Sequence, residues 1–312
     1  MTSLRARLLN LALRLISKRQ LARIGDATPE VVAESRRRLQ TMARWMPAPP
    51  SFVHVEPVSA GGVPAEWISA GARSDTAIMY LHGGAYTVGG PDNYRDIAWR
   101  LAAASGLPVL LVDYRLAPEH PFPAALEDAH TTWRWLTESR GVKQVCVVGD
   151  SAGGGLALSL TMGLRDLGES LPAGVIGLSP WTDLSGSGDS LQSHRDADPV
   201  VPADLVARGA TLYLRETDAR DPRVSPLYGD FSGLPPLQIH VGSTEVLLDD
   251  ATRVANKARA AGVSVDLRLW PDMSHVFYLF ASVLPEARQM VAQVSAFANE
   301  VVGAPAEPPR VT

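Results

Sequence analysis

The chain has 312 residues, 46% hydrophobic and 20% charged, with 26 glycines and 24 prolines; such a composition supplies a sizeable core and excludes disorder as the main state. A formal net charge of −4 and a sequence pI near 6.0 leave no global basic excess, so nucleic acid is not an expected partner. The single cysteine excludes an intramolecular disulfide, and Cys146 sits in the apolar run Val145 to Val148, where it reads as a packing residue.

Residues 1 to about 48 carry helical periodicity. Leu4, Leu8, Leu11, Leu15 and Ile16 share one helical face, with Arg5, Arg7, Arg14, Lys18, Arg19 and Arg23 among the rest. The favoured reading is a cap helix that closes a pocket with this apolar face; the rival is a basic amphipathic helix lying on an anionic membrane surface. Arg14 interrupts the apolar stretch and no small-residue cleavage site follows, so neither a signal peptide nor a membrane span is expected. A cytoplasmic location is the default.

Short runs rich in Val, Ile and Leu follow at about 52–58, 63–68, 76–82, 108–113, 144–149, 174–179, 237–242 and 264–270. Bounded by Gly, Pro, Asn or Asp, they read as eight strands. The first two, joined by Ala60-Gly61-Gly62, read as an antiparallel hairpin at the sheet edge. From the third onward the strands alternate with helical patterns at about 92–105, 124–140, 152–168, 249–262 and 284–301, which requires crossovers and a mostly parallel sheet. Residues 181 to about 232 separate two consecutive strands around one helical stretch, Ala203 to Leu214, and read as a second cap segment. The expected organisation is an N-terminal cap over 1–48, an α/β domain over 49–302 carrying the 181–232 insertion, and a loose tail over 303–312.

The fifth strand runs into Gly149-Asp150-Ser151-Ala152-Gly153, directly followed by a helical pattern. This is G-x-S-x-G in its strand-turn-helix setting, which raises a serine on a strained turn and needs glycine where neighbouring backbone comes close. Ser151 is therefore the candidate nucleophile. The third strand ends in His82-Gly83-Gly84-Ala85-Tyr86, an HGGG-type loop whose backbone N–H groups can hold the oxyanion of a tetrahedral intermediate. Candidate donors are Ala152 together with two from Gly83, Gly84 and Ala85, Gly84 and Ala85 being preferred, while His82 braces the loop.

A serine on such an elbow is followed in sequence by an acid and then a histidine, each after a later strand. Of the histidines beyond Ser151, His194 falls in the cap segment, His240 inside a strand, and only His275 in a loop after the last strand. The seventh strand leads into Glu245, Asp249 and Asp250. Glu245 stands nearest the strand end, whereas Asp249 and Asp250 suit the first turn of a helix; Glu245 is favoured and Asp249 stays open.

The blocks at His82 to Tyr86, Asp113-Tyr114-Arg115-Leu116-Ala117-Pro118-Glu119-His120-Pro121-Phe122-Pro123-Ala124-Ala125, Gly149 to Gly154 and Glu245 to His275 make the chain resemble the bacterial hormone-sensitive-lipase-like esterases of the α/β-hydrolase fold. The resemblance spans about Ile78 to His275. It implies a helical cap, hydrolysis of short- to medium-chain acyl esters, and homodimers through the last strand and helix. The 113–125 block has no catalytic logic of its own and looks like a scaffold for the oxyanion loop and elbow. Two departures stand out: Ala85 replaces the third glycine of the loop, at little cost if its φ stays below zero, and Glu245 replaces the usual aspartate.

The expected reaction is a covalent acyl-enzyme route with a small-molecule ester as substrate and no metal or organic cofactor. Tyr86, Trp181 and Val276 are expected at the substrate pocket. An amidase or acyltransferase is the nearest rival. A small-molecule receptor on the same fold is opposed by the presence of His275.

Overall fold

The computed structural model describes residues 2–21, 28–44, 46–71 and 75–303, over 15–21 the backbone alone. From residue 304 on, the expected tail lies outside the described residues, as do Arg23 and the side chains of Leu15, Ile16, Lys18 and Arg19. In chain order the elements are α1 (Leu4–Leu21), α2 (Pro29–Ala43), β1 (His54–Ala60), β2 (Val63–Ser69), β3 (Thr76–Leu81), α3 (Pro91–Ser105), β4 (Val109–Val112), α4 (Ala124–Arg134), β5 (Gln144–Asp150) and α5 (Ala152–Asp166). There follow β6 (Gly174–Leu178), α6 (Ser190–Ser193), α7 (Ala203–Leu214), β7 (Leu237–Gly242), α8 (Leu248–Ala260), β8 (Val265–Trp270) and α9 (Pro285–Val301).

The eight strands form one sheet in the order β1-β2-β4-β3-β5-β6-β7-β8. β1 pairs antiparallel with β2, as the hairpin reading requires, and β2 also pairs antiparallel with β4. The remaining neighbours are all parallel. Helices cover both faces, which is why the central strands are continuous apolar runs instead of alternating ones. Successive side chains still diverge to opposite layers. Met79, Leu81, Val145 and Val147 pack with α4, α5 and α8. Ile78, Tyr80, Cys146 and Val148 pack with α3 and α9. Burial raises the Cys146 pKa, so the thiol stays protonated and serves as packing.

The N-terminal helices depart from the favoured reading. On α1, Ala6 is buried and Leu9 packs against the α3/α9 layer, whereas Leu4, Leu8 and Leu11 are 71%, 58% and 56% exposed. Of the face expected to close a pocket, Leu4, Leu8 and Leu11 point away from the molecule. A helix with leucines on two faces does not announce which one docks, and here the small Ala6 permits the closer approach. It is α2 instead whose Val31, Val32, Ser35 and Leu39 line a cavity, together with α7 of the 181–232 segment.

Candidate active site

β5 delivers Ser151 at φ 49° and ψ −119°, with α5 beginning at the next residue. Such a backbone costs about 1–3 kcal/mol and persists only where its surroundings impose it. Here the Ser151 N–H donates to Leu178 O at 2.9 Å, and Ser151 O accepts from Trp181 N at 2.8 Å. A Cβ at Gly149 would stand 2.1 Å from Gly153 O, and one at Gly153 would stand 2.0 Å from Leu81 O. Both collisions are with backbone, so the two glycines are steric requirements of the elbow.

Two distant loops bring the other groups to the serine. His275 Nε2 lies 3.0 Å from Ser151 Oγ, and His275 Nδ1 lies 2.8 Å from Glu245 Oε2. Glu245 is fully buried; its Oε1 accepts from Ser179 Oγ at 2.7 Å and from Gly242 N at 2.5 Å. These bonds fix one carboxylate oxygen and leave the other for the imidazole. Burial by itself would lower the His275 pKa, but the hydrogen bond and charge of Glu245, with further help from Asp198 and Asp150, raise it above its ordinary value. The other two carboxylates are engaged elsewhere. Asp249 Oδ2 accepts from Ser190 N, and Asp250 Oδ2 accepts from Thr182 N and Asp183 N. Burial pushes Asp250 up to about 7.

After β3 the chain folds back on itself, with Thr87 N and Val88 N both donating to Gly84 O. This tight return puts Gly84, Ala85 and Tyr86 at φ 116°, 53° and 59°. The expectation that Ala85 would keep φ below zero is overturned, because the turn needs left-handed backbone at three consecutive residues. Gly83 is also reassigned among the candidate donors. Its N–H donates to Asp150 Oδ1 at 2.9 Å, leaving Gly84 and Ala85 as the candidate donors from this loop. Ala152, the first residue of α5, offers an N–H that has no partner within its own helix.

The brace behind the loop explains the sequence block at 113–125. Tyr114 Oη donates to His82 O at 2.5 Å, and its ring stacks on that of His82 at 4.3 Å. Ala117 N donates to Tyr86 O. Burial pulls His82 down to about 4, so its ring is neutral and Nδ1–H donates to Gly83 O at 2.7 Å. His82 is a bracing residue, as the sequence suggested.

Sequence reasoning passed over three contributors. Asp150 is wholly buried between elbow and loop, accepting from Gly83 N, Tyr80 Oη and Tyr94 Oη; burial drives its pKa up to about 6. A polar residue directly before the serine, inside an apolar strand, was the available signal. Asp198 accepts from Val200 N, Val201 N and Val246 N, tying the 181–232 segment to the Glu245 loop. Arg36 of α2 donates to Thr87 O and Ala117 O, both at 2.8 Å, and pairs with Glu119. It pins α2 to the far end of the Gly84–Val88 loop, a long-range contact without a sequence signature.

Ser151 and His275 open into a cavity of about 360 Å³. α2, the Gly84–Val88 loop, Trp181, α7, Leu247, Val276 and Leu279 form its walls. Trp181 and Val276, two of the residues expected at a substrate pocket, line this cavity. Tyr86 does not reach the cavity: it is buried behind the wall, stacked on Tyr213 at 3.8 Å and 6.1 Å from Trp181.

A family model described as alpha/beta hydrolase fold matches residues 78–279, and the chain belongs to that family. It is 38% identical over 296 residues to an acetyl-hydrolase of Streptomyces hygroscopicus, covering 95% of this chain and 97% of the relative. An esterase of Acinetobacter venetianus is 36% identical over 265 residues, 84% of this chain and 87% of its own. A crystal structure of an esterase from the bacterial hormone-sensitive lipase family superposes with a TM-score of 0.89 at 40% identity, covering 97% of this chain and all of that one. The chain is accordingly a serine carboxylic ester hydrolase of the bacterial hormone-sensitive-lipase type. Among the described residues no helix is long and apolar enough to cross a membrane.

Proposed function

We propose that the chain hydrolyses short- to medium-chain acyl esters through a Ser151–His275–Glu245 triad. The carrying observation is the unbroken hydrogen-bonded line from Ser151 Oγ through His275 to buried Glu245, set at one end of an apolar cavity. Its volume, about 360 Å³, lies near the lower end of ordinary ligand sites, which supports a small ester over a long-chain one.

In this reading His275 Nε2 takes the Ser151 proton as Oγ attacks the ester carbonyl. The carbonyl oxygen becomes an oxyanion held by the N–H groups of Gly84, Ala85 and Ala152. The imidazolium, stabilised by Glu245, then protonates the departing alcohol, and the C–O bond to it breaks. An acyl group remains on Ser151. Water, deprotonated by the same imidazole, attacks that acyl carbon, and the carboxylic acid leaves as Ser151 regains its proton. The segments 1–48 and 181–232 serve as the cap over the 49–302 domain, Trp181 and Val276 form acyl-side walls, and the enzyme works in the cytoplasm. Homodimers would form through β8, one of the two edge strands of the sheet, and α9.

A fluorophosphonate should label wild type and leave Ser151→Ala unlabelled. Failure to label folded wild type would overturn the nucleophile. Rates over an ester series of rising acyl length should peak at short to medium chains; a maximum at long acyl groups would overturn the size assignment.

A further inference from the structure

We propose that the outward face of α1 is a docking surface for an anionic phospholipid bilayer. Leu4, Leu8 and Leu11 recur at i, i+4 and i+7, so they form one stripe along the helix, and all three are more than half exposed. The stripe does not result from a loosely attached helix. Ser3 N and Oγ bond Glu286, Asn10 Nδ2 donates to Asp272 O at 2.7 Å, and Arg14 Nη2 donates to Ala197 O. Ala6 and Leu9 fill the opposite side. The leucines are held outward by a helix whose inner face is already spent on the protein.

Charge selects the occupant. The α1 sequence, LRARLLNLALRLISKRQL, holds five basic residues and no acidic one, in a chain whose net charge is −4. At 100° per residue Arg5 falls on one flank of the leucine stripe and Arg7 and Arg14 on the other. An apolar strip bordered by cations is the pattern that sits in a headgroup layer, leucines in the acyl boundary and arginines at the lipid phosphates. A protein partner would have to be strongly acidic around an apolar groove, whereas a bilayer supplies both features together.

The placement has a consequence. α1 is fastened at Asp272, close in sequence to His275, and at Ala197, close to the cavity residues Val200 and Val201. Docking would therefore hold the cavity side of the molecule near the lipid. That advantage rests on the ester-hydrolase reading; the docking itself does not, and its test reads binding alone.

The full chain would be floated with phosphatidylcholine vesicles, with and without phosphatidylglycerol, at about 0.1 M and about 1 M salt, a change that shortens the Debye length from about 10 Å to about 3 Å. Wild type should float with the phosphatidylglycerol vesicles at low salt and bind about tenfold more weakly without that lipid or at high salt. The triple variant Leu4→Ser/Leu8→Ser/Leu11→Ser should lose at least about tenfold in partitioning, with wild-type kcat on a water-soluble ester certifying its fold. Arg5→Gln/Arg7→Gln should weaken binding to the anionic vesicles alone. No flotation of wild type, or flotation unchanged in both variants, overturns the proposal. So does a wild-type dimer that the leucine variant converts to monomer, because a second copy would then cover the face.

Discussion

At the scale of single residues, the proposed mechanism makes the pH dependence of turnover follow from the pair His275–Glu245. The base must be neutral to accept the serine proton, and Glu245, assisted by Asp198 and Asp150, outweighs burial to raise its pKa. The ascending limb of kcat/KM should therefore lie above pH 6.5, the ordinary histidine value. Glu245→Gln removes the charge that favours imidazolium, so the limb should move to lower pH while kcat falls about a thousandfold or more. Asp249→Ala should leave the limb in place, because Asp249 serves Ser190 N instead; a larger kcat loss there than in Glu245→Ala would reassign the acid. Asp150 acts at one remove, as a positioning residue. Its carboxylate holds Gly83 N, next to the proposed donors, and a misplacement of about 1 Å costs about a hundredfold in rate. Asp150→Ala should lower kcat by that order with KM little changed, and Asp150→Asn, which keeps an acceptor oxygen, should recover most of it. Equal damage by both variants would mean that the carboxylate charge matters, not its acceptor. Ser151, the two candidate acids and His275 were readable in the sequence because each is fixed by a motif or by its place after a strand. Asp150 was visible only as an unexplained polar residue in an apolar run.

Between elements, the Gly84–Val88 loop and α7 meet through a matched pair of small residues. A Cβ at Gly209 would stand 2.9 Å from Ala85 Cβ and 3.6 Å from Trp181 Cη2. Ala85 occupies room that a larger residue at 209 would need. Gly209→Ala should thus cost about 1–3 kcal/mol by overpacking and narrow the cavity, raising KM more for longer acyl chains. Ala85→Gly should be close to neutral alone, since relief of a left-handed alanine offsets a lost contact. Combined, the two should recover much of the loss, with a coupling of about 1 kcal/mol or more in thermal or denaturant unfolding; strict additivity would mean the pair does not meet. The central strands were legible to within a residue or two because parallel strands buried on both faces leave unbroken apolar runs between turn residues. The order of pairing was not, since β2 lying against β4 is a long-range choice that no local pattern encodes. α1 was located correctly and faced wrongly for the same reason: its two leucine-bearing faces are locally equivalent, and the contacts of Ala6 and Leu9 decide between them.

Across the whole molecule, two sets of buried or half-buried ionisable groups oppose each other as the pH falls. Burial lowers the pKa of His82 to about 4 and of His240 to about 3, and lowers that of His130. Below the unfolded histidine value near pH 6.5 the unfolded chain binds protons that these groups refuse, so they make stability decline on acidification. Burial raises Asp150 to about 6 and Asp250 to about 7, and raises Asp113 and Asp198. Those carboxyls bind protons in the folded state at pH values where the unfolded chain has released them. Their contribution is complete below the unfolded value near 3.8 and is lost as the pH rises through the folded one, so they make stability grow on acidification. Between about pH 5 and pH 6, above the range in which carboxyls of lowered pKa such as Asp183 take up protons even in the unfolded chain, the two sets offset each other, and the stability of wild type should vary little. Asp250→Asn keeps a side-chain oxygen for Thr182 N and Asp183 N while deleting one group from the second set. Its stability should then fall on acidification across this window with an added slope approaching about 1.4 kcal/mol per pH unit, the value for one proton. Denaturant unfolding of both proteins at successive pH values tests this directly. Parallel curves would mean that Asp250 is ionised in the folded protein, and its two backbone N–H partners would then have to outweigh its burial.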